Sequence, residues 1–143
     1  MTNISPALDE WYFADGLFGF PAGHRFRFEH EPALGPVAQL RSLDDPQLSF
    51  FITDPRSVYD AYDVDVPPYD LEQLGAGEAA RLEIYAILNV EAEPFHVTAN
   101  LLGPLVVNPA TGQARQIIQS GRPYSAQQPI TDEVSHARTQ PAH

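Results

Sequence analysis

Apolar and polar residues alternate in several stretches of this chain, and the alternation predicts β-strands. In the stretch His24–His30, Phe26 and Phe28 fall on one face and three charged residues fall on the other. A period of two residues is typical of a strand with one buried face. The same criterion predicts strands near residues 24–30, 37–43, 48–53, 61–66, 82–90, 97–107 and 113–119.

Proline and glycine divide the chain into short segments. There are 14 prolines and 9 glycines, which favour brief strands joined by turns over a helical bundle. Leu71 and Leu74, preceded by Asp70 and followed by Gly75, predict one helical turn. We therefore expect a mainly β fold, a small antiparallel β-barrel or sandwich with one or two short helical turns. The expected core includes Phe26, Phe28, Ile84, Leu88, Leu102 and Val106.

The length of 143 residues fits a single folded domain. We expect one β domain over residues 1–130, which contains all of the alternating stretches. Residues 131–143 show no apolar period, so we expect them to form a disordered tail. No run approaches the ~18 consecutive apolar residues that a membrane-spanning helix needs.

The chain is acidic, with 19 aspartates and glutamates against 8 basic residues and a formal net charge of −11. Negative charge disfavours direct binding to nucleic acids and membrane surfaces and favours a basic protein partner. Acidity that serves only solubility is the alternative. The absence of cysteine excludes disulfides and thiol chemistry, and the N-terminus lacks the pattern of a signal peptide. We therefore expect a cytoplasmic protein.

Five aspartates lie within one short part of the chain. They are Asp54, Asp60, Asp63, Asp65 and Asp70. Their spacing lacks the glycine and the terminal glutamate of an EF-hand loop, so calcium binding is not predicted. We expect these acids to lie together on a surface that meets a basic partner; a solvated face that protects a sheet edge is the alternative.

Motifs for catalysis and for metal binding are missing from the sequence. The five histidines show no spacing typical of a zinc site, and the chain has neither a nucleophile elbow nor a phosphate-binding loop. We expect no catalytic residue, no metal and no cofactor. A hydrolase or isomerase with a carboxylate pocket is an alternative, as is a barrel that holds a small ligand in an aromatic-lined interior.

The segment Asn100–Pro104 interrupts the longest apolar run with a glycine-proline bend. Such a bend predicts a strand irregularity, which we expect beside an exposed hydrophobic patch. The candidate partner-binding residues there are Asn100, Leu101, Leu102 and Pro104. The alternative is that Leu101 and Leu102 are simply core residues.

Several segments, taken in order, resemble one known family. These segments are Phe13–Phe20, Ser42–Phe50, Asp54-Pro55, Thr98–Asn108, Gln113–Ile118, Tyr124-Ser125 and Pro129-Ile130. On these residues the chain resembles the FliW family of flagellar assembly factors. The resemblance covers about residues 11 to 130 and includes several independent segments.

The resemblance implies a compact β-barrel-like fold without enzymatic activity. It also implies two protein partners. One is flagellin, held in the cytosol before export; the other is CsrA, a small basic dimer that binds the flagellin messenger and represses its translation. When secretion removes flagellin, the released factor would bind CsrA and relieve the repression. The chain itself is expected to be a monomer when it has no partner.

Overall fold

Strands dominate the computed structural model, which describes residues 9–20, 24–30, 35–77, 81–92 and 95–130. The strands are β1 Glu10–Phe13, β2 His24–His30, β3 Val37–Ser42, β4 Ser49–Thr53, β5 Glu83–Ala92, β6 Phe95–Ala99, β7 Leu105–Val107, β8 Gln113–Gln116 and β9 Gln128–Pro129. A 3₁₀ turn covers Pro55–Ser57, and the helix α1 covers Pro68–Gln73. The tail predicted over residues 131–143 lies outside the described residues.

Seven of these strands close into a barrel. They follow the order β4-β3-β2-β1-β8-β7-β5, and β4 pairs back with β5. The pairing of β1 with β8 is parallel, with Tyr12 opposite Gln113 and Phe13 opposite Ala114, whereas the other pairings are antiparallel. β6 and β9 extend the sheet beyond β5. The predicted β-barrel is confirmed, and the parallel pairing of β1 is an addition to the antiparallel prediction.

A hydrophobic cluster, here named the barrel core, fills the interior. It consists of Trp11, Phe13, Leu17, Phe26, Ala38, Leu40, Ile52, Leu105, Val107 and Ala114. Phe13 and Phe26 are fully buried and meet edge to face, with ring centroids 5.6 Å apart. Trp11 stacks on Phe28 at 5.2 Å. These edge-to-face and stacked contacts add to the burial of large aromatic surfaces.

A second hydrophobic layer, here named the outer core, lies on the opposite face of β5, β6 and β7. It consists of Tyr62, Leu74, Ala86, Leu88, Ala99, Leu101, Val106 and Ile117. In β5, Tyr85 and Ile87 pack against the barrel core while Ala86 and Leu88 belong to the outer core. Alternate residues of a strand face opposite sides of the sheet. β5 therefore buries apolar side chains on both faces.

Most of the predicted core residues are buried or packed against one of the two cores. Phe26, Leu88 and Val106 are buried, and Phe28 and Ile84 are partly buried against the cores. Leu102 is the exception, because it is only partly buried and lines a surface cleft.

The strand predicted over residues 61–66 is wrong. Its alternation is present, because Tyr62 is buried while Asp63 and Asp65 are exposed, but the segment pairs with no described strand. Side chains take the place of a partner strand: Gln119 and Tyr124 bond to the backbone of Asp65 and Asp63. One-sided burial thus indicates an extended chain but does not show what its backbone bonds to.

Candidate partner-binding surfaces

A tight turn over Leu17–Phe20 presents an aromatic side chain to solvent. Leu17 and Phe20 exchange backbone hydrogen bonds, with N to O distances of 3.0 and 2.7 Å. Gly19 has a φ of +92°, which a residue with a side chain rarely adopts. Leu17 is buried in the barrel core, whereas Phe18 is 62% exposed. The turn is anchored by Leu17 and displays Phe18.

Residues 100–104 form a bulge between β6 and β7, where the bend was predicted. The Asn100 side-chain oxygen accepts hydrogen bonds from the backbone N–H groups of Leu102 and Gly103, at 3.1 and 2.9 Å. The backbone N–H of Leu101 donates to the carbonyl of Ser125 at 2.9 Å. Side-chain bonds of this kind stabilise a tight turn locally. The bulge is therefore an ordered element of the sheet.

An open cleft of about 340 Å³, here named the apolar cleft, lies between the turn and the bulge. It is lined by Leu17, Phe18, Phe50, Ile87, Asn100, Leu102, Gln116, Ile118 and Ala126. Gln116 joins the two walls: its side-chain oxygen accepts from the Phe18 N–H, and its side-chain nitrogen donates to the Gly103 carbonyl, both at 2.9 Å. No titratable side chain occurs in this lining.

The candidate residues of the bulge fall into two groups. Asn100 and Leu102 line the apolar cleft. Leu101 and Pro104 are fully buried, so the expectation that they lie on an exposed patch is wrong. Their backbone groups can position the cleft wall without touching a partner.

Seven of the nine cleft residues were not candidates in the sequence analysis, and these include Phe18, Gln116 and Ile118. Phe18 and Ile118 are 62% and 42% exposed, although their neighbours Leu17 and Ile117 are buried. Only the long-range contacts of β8 bring these side chains to the bulge, and no local pattern carries that information.

Four of the five candidate aspartates lie on an exposed, irregular stretch of the chain. Asp54, Asp60, Asp63 and Asp65 are all exposed. Asp54 caps the 3₁₀ turn by accepting from the Arg56 N–H at 2.9 Å. We name residues 54–65 the acidic segment.

Asp70 is different, because its paired carboxylate is largely buried, whereas Asp63 pairs with Arg122 at the surface. Its carboxylate lies 2.6 Å from Nε of Arg115, and a second carboxylate, that of Asp15, lies 2.8 Å from the same guanidinium. Only 15% of the Asp70 side chain is exposed. Burial lowers the pKa of Arg115, but the hydrogen bonds to Asp70 and Asp15 outweigh it and the pKa is raised. The expectation that Asp70 belongs to an exposed acidic surface is therefore wrong.

Four side chains hold the acidic segment in place, and one of them is Arg122, which donates to the Asp63 carbonyl at 3.2 Å. The Tyr62 hydroxyl donates to the Leu101 carbonyl at 2.6 Å. The Gln119 side chain accepts from the Asp65 N–H at 2.7 Å and donates to the Asp65 carbonyl at 3.0 Å. Tyr124 makes a similar pair of bonds with the backbone of Asp63. Burial, reinforced by the neighbouring Tyr124, raises the pKa of the Tyr62 hydroxyl, which stays a proton donor.

Over residues 9–20, 24–30, 35–77, 81–92 and 95–130, no three histidine, aspartate or glutamate side chains form a group that could hold a metal. Nor does this part of the chain contain a helix with the length and apolar character to cross a membrane.

A family model and known protein sequences that are similar to this chain point to one family. The family model described as FliW protein matches residues 6–130. The flagellar assembly factor FliW of Symbiobacterium thermophilum is 35% identical over 119 residues, which are 82% of this chain and 86% of the relative. That of Treponema pallidum is 32% identical over 125 residues, covering 87% and 83%.

A solved structure supports the same assignment. The crystal structure of a flagellar assembly factor FliW superposes with a TM-score of 0.78 at 26% identity, and the match covers 90% of this chain and 89% of that one. The family match over residues 6–130 includes strands β1 to β9 and both candidate surfaces. The chain belongs to the FliW family.

Proposed function

We propose that this chain is a cytoplasmic flagellar assembly factor that binds flagellin and CsrA by partner switching and so relieves the repression of flagellin translation. Family membership supports the assembly role, because the relatives carry that name. The observation that carries the proposal is the presence of two chemically opposite surfaces on one small domain. One is the uncharged apolar cleft, and the other is the acidic segment.

The apolar cleft suits flagellin. Before assembly the terminal segments of flagellin are amphipathic and unpaired, as the family resemblance implies. An apolar helix face binds well to a hydrophobic groove, where its side chains leave water. Phe18 and Ile118 at the rim, with Leu102 beside them, offer such a groove.

The acidic segment suits CsrA, which is basic. Asp60, Asp63 and Asp65 are exposed and stand on a domain with a net charge of −11. Complementary charge accelerates the encounter between the two proteins, and the negative charge of the acidic segment repels RNA. A factor with this surface can therefore occupy CsrA without binding the messenger.

The enzyme alternative finds little support. A catalytic pocket brings titratable groups together in a concave site, and the lining of the apolar cleft contains none. The small-ligand alternative requires aromatic side chains around a hollow interior. Phe13 and Phe26 instead pack against each other in the barrel core. The relatives are named as assembly factors.

The flagellin part of the proposal can be tested with Leu102→Asp, which places a charge in the apolar cleft. We expect binding of purified monomeric flagellin, measured by fluorescence anisotropy, to weaken roughly 30-fold or more, as for a central contact residue. CsrA binding should persist. Val90→Asp is the matched control, because Val90 is 46% exposed on β5 and lies outside the cleft lining. Parental flagellin affinity in a folded Leu102→Asp protein would reject the cleft as the site.

A further inference from the structure

The bulge has two sides, and each belongs to a different surface. On one side Asn100 and Leu102 line the apolar cleft. On the other side the carbonyls of Leu101 and Leu102 accept hydrogen bonds, from the Tyr62 hydroxyl at 2.6 Å and from the Gln119 N–H at 2.8 Å. The same few residues thus form a wall of the cleft and an anchor for the chain behind it.

Both donors also hold the acidic segment. Tyr62 lies within that segment, between Asp60 and Asp63. Gln119 bonds through its side chain to the backbone N–H and carbonyl of Asp65, at 2.7 and 3.0 Å. A displacement of the bulge therefore reaches the acidic segment through one or two hydrogen bonds.

The Tyr62–Leu101 bond is buried, and the side-chain bonds of Gln119 to Asp65 are partly buried. Tyr62 is 3% exposed, Gln119 is 2% exposed, and Leu101 is fully buried. Breaking such a bond would leave a buried donor or acceptor without a partner, which is more costly than the loss of an exposed bond. The bulge and the acidic segment should therefore move together, because movement of one alone would break these bonds.

We propose that the bulge couples the two surfaces, so that a partner in the apolar cleft changes the acidic segment through the Tyr62–Leu101 and Gln119–Leu102 bonds. This inference rests on the proposed function, in which flagellin fills the cleft and CsrA meets the acids. Flagellin then lowers the affinity for CsrA without covering the acidic segment. The effect is reciprocal, because CsrA must lower the affinity for flagellin by the same factor.

The coupling factor is the ratio of the Kd for CsrA in saturating flagellin to the Kd without flagellin. For the parent chain we expect a factor of roughly 5 to 150, the usual range for linked sites. Tyr62→Phe removes the hydroxyl that bonds to Leu101 and keeps the ring in the outer core. We expect it to reduce the factor at least about threefold, because one of the two bonds that join the bulge to the acidic segment is lost. The factor is a ratio of two Kd values of the same variant, so a change in CsrA affinity alone does not alter it.

Tyr59→Phe is the matched control. Tyr59 packs its ring against Tyr124, as Tyr62 does, but it is 39% exposed and makes no side-chain hydrogen bond to the bulge. We expect the parental coupling factor in this variant. A parental factor in Tyr62→Phe as well would overturn the proposal and favour direct steric competition. A parent chain that binds both partners independently would also overturn the proposal, because the two surfaces would then be uncoupled.

A second measurement tests the coupling without any partner. Gly103→Ala adds a methyl group behind the cleft wall, and its Cβ would lie 3.2 Å from the side chains of Gln116 and Ile118, so these cleft residues must shift slightly. We expect the backbone amide NMR signals of Asp63 and Asp65 to move in this variant. The movement should shrink when Tyr62→Phe is added and persist when Tyr59→Phe is added.

The two measurements separate the coupling from the partner assignment. If the backbone amide NMR signals of Asp63 and Asp65 do not move in Gly103→Ala, the coupling proposal is wrong, whichever proteins bind. Moved signals in a chain that binds neither flagellin nor CsrA would support the coupling and reject the proposed function.

Discussion

The barrel core and the outer core share strands β5 and β7 but are enclosed in different ways. Around the barrel core, each of seven strands pairs with two others, so a continuous backbone ladder surrounds the apolar side chains. The outer core is covered by residues 54–77, which are mostly irregular and are here named the outer cover. Individual side chains hold that cover, including Tyr62, Gln119 and Asn108.

This difference in enclosure indicates which part of the molecule can change its conformation when a partner binds. A backbone ladder depends little on the identity of its side chains, whereas a cover held by a few side-chain bonds depends on each of them. Asn108, for example, donates to the Leu74 carbonyl at 2.9 Å, and so ties the end of α1 to the strand β7 region. Regions of few backbone pairings also open more easily. The outer cover can therefore respond to a partner while the barrel stays closed.

The largest expected effect is in the barrel core. Phe26→Ala removes a fully buried ring that contacts Phe13. We expect the free energy of unfolding to fall by about 3–5 kcal/mol, the usual cost of a large aromatic cavity. Urea denaturation would measure it. Phe51→Ala is the matched control, because Phe51 is 40% exposed on β4 and should change stability far less. Equal losses in the two variants would contradict the assignment of the inner and outer faces of the barrel.

An intermediate effect is expected in the outer cover. Gln119→Met keeps the length of the side chain but removes its bonds to the backbone of Asp65. We expect the free energy of unfolding to fall by about 1–3 kcal/mol, because partly buried backbone groups lose their hydrogen-bond partners. Faster hydrogen exchange confined to residues 60–66 would show that the cover loosens locally. An exposed counterpart, Gln127→Met, should leave both quantities unchanged, and uniform exchange rates in Gln119→Met would refute the local effect.

The smallest effect on stability is expected for the exposed acids. Replacing Asp60, Asp63 and Asp65 by asparagine should change the free energy of unfolding by less than about 0.5 kcal/mol, since exposed charges contribute little. Association with CsrA should slow by roughly tenfold or more at low salt, and its salt dependence should flatten. Surface plasmon resonance across ionic strengths would measure both.

A matched variant separates position from total charge. Asp45, Glu72 and Glu91 are also exposed, and their replacement by amides removes the same number of charges elsewhere. If that variant slowed association as much as the first one, the acidic segment would have no special role and only net charge would matter.

The barrel could be predicted from the sequence because its strands carry local patterns. β2 was predicted at its observed bounds, since the alternation around Phe26 spans the whole strand. β1 was not predicted as a strand, although it contributes Trp11 and Phe13 to the barrel core. Its four residues are too few for a period, and its parallel pairing with β8 depends on residues about 100 positions away.

The two surfaces were harder to predict, for a physical reason. The sequence marked Asn100–Pro104 as irregular, but the opposite orientations of Leu101 and Leu102 follow from the hydrogen bonds of Leu101 to Tyr62 and Ser125. In the same way, Asp70 differs from the other aspartates only because Arg115 of β8 lies against it. Local patterns report burial along one element, whereas these details come from contacts between distant elements.

The parallel pairing of β1 with β8 also governs how the chain is made. Phe13 pairs with Ala114, so 101 further residues must be added before the first strand meets its last neighbour. At roughly 5–20 residues per second, a ribosome needs about 5 to 20 seconds for that distance. Throughout this interval Trp11 and Phe13 belong to a strand that still has one open edge. β1 can therefore pair with β2 early in synthesis, but its second edge stays open until β8 has been made and the barrel closes.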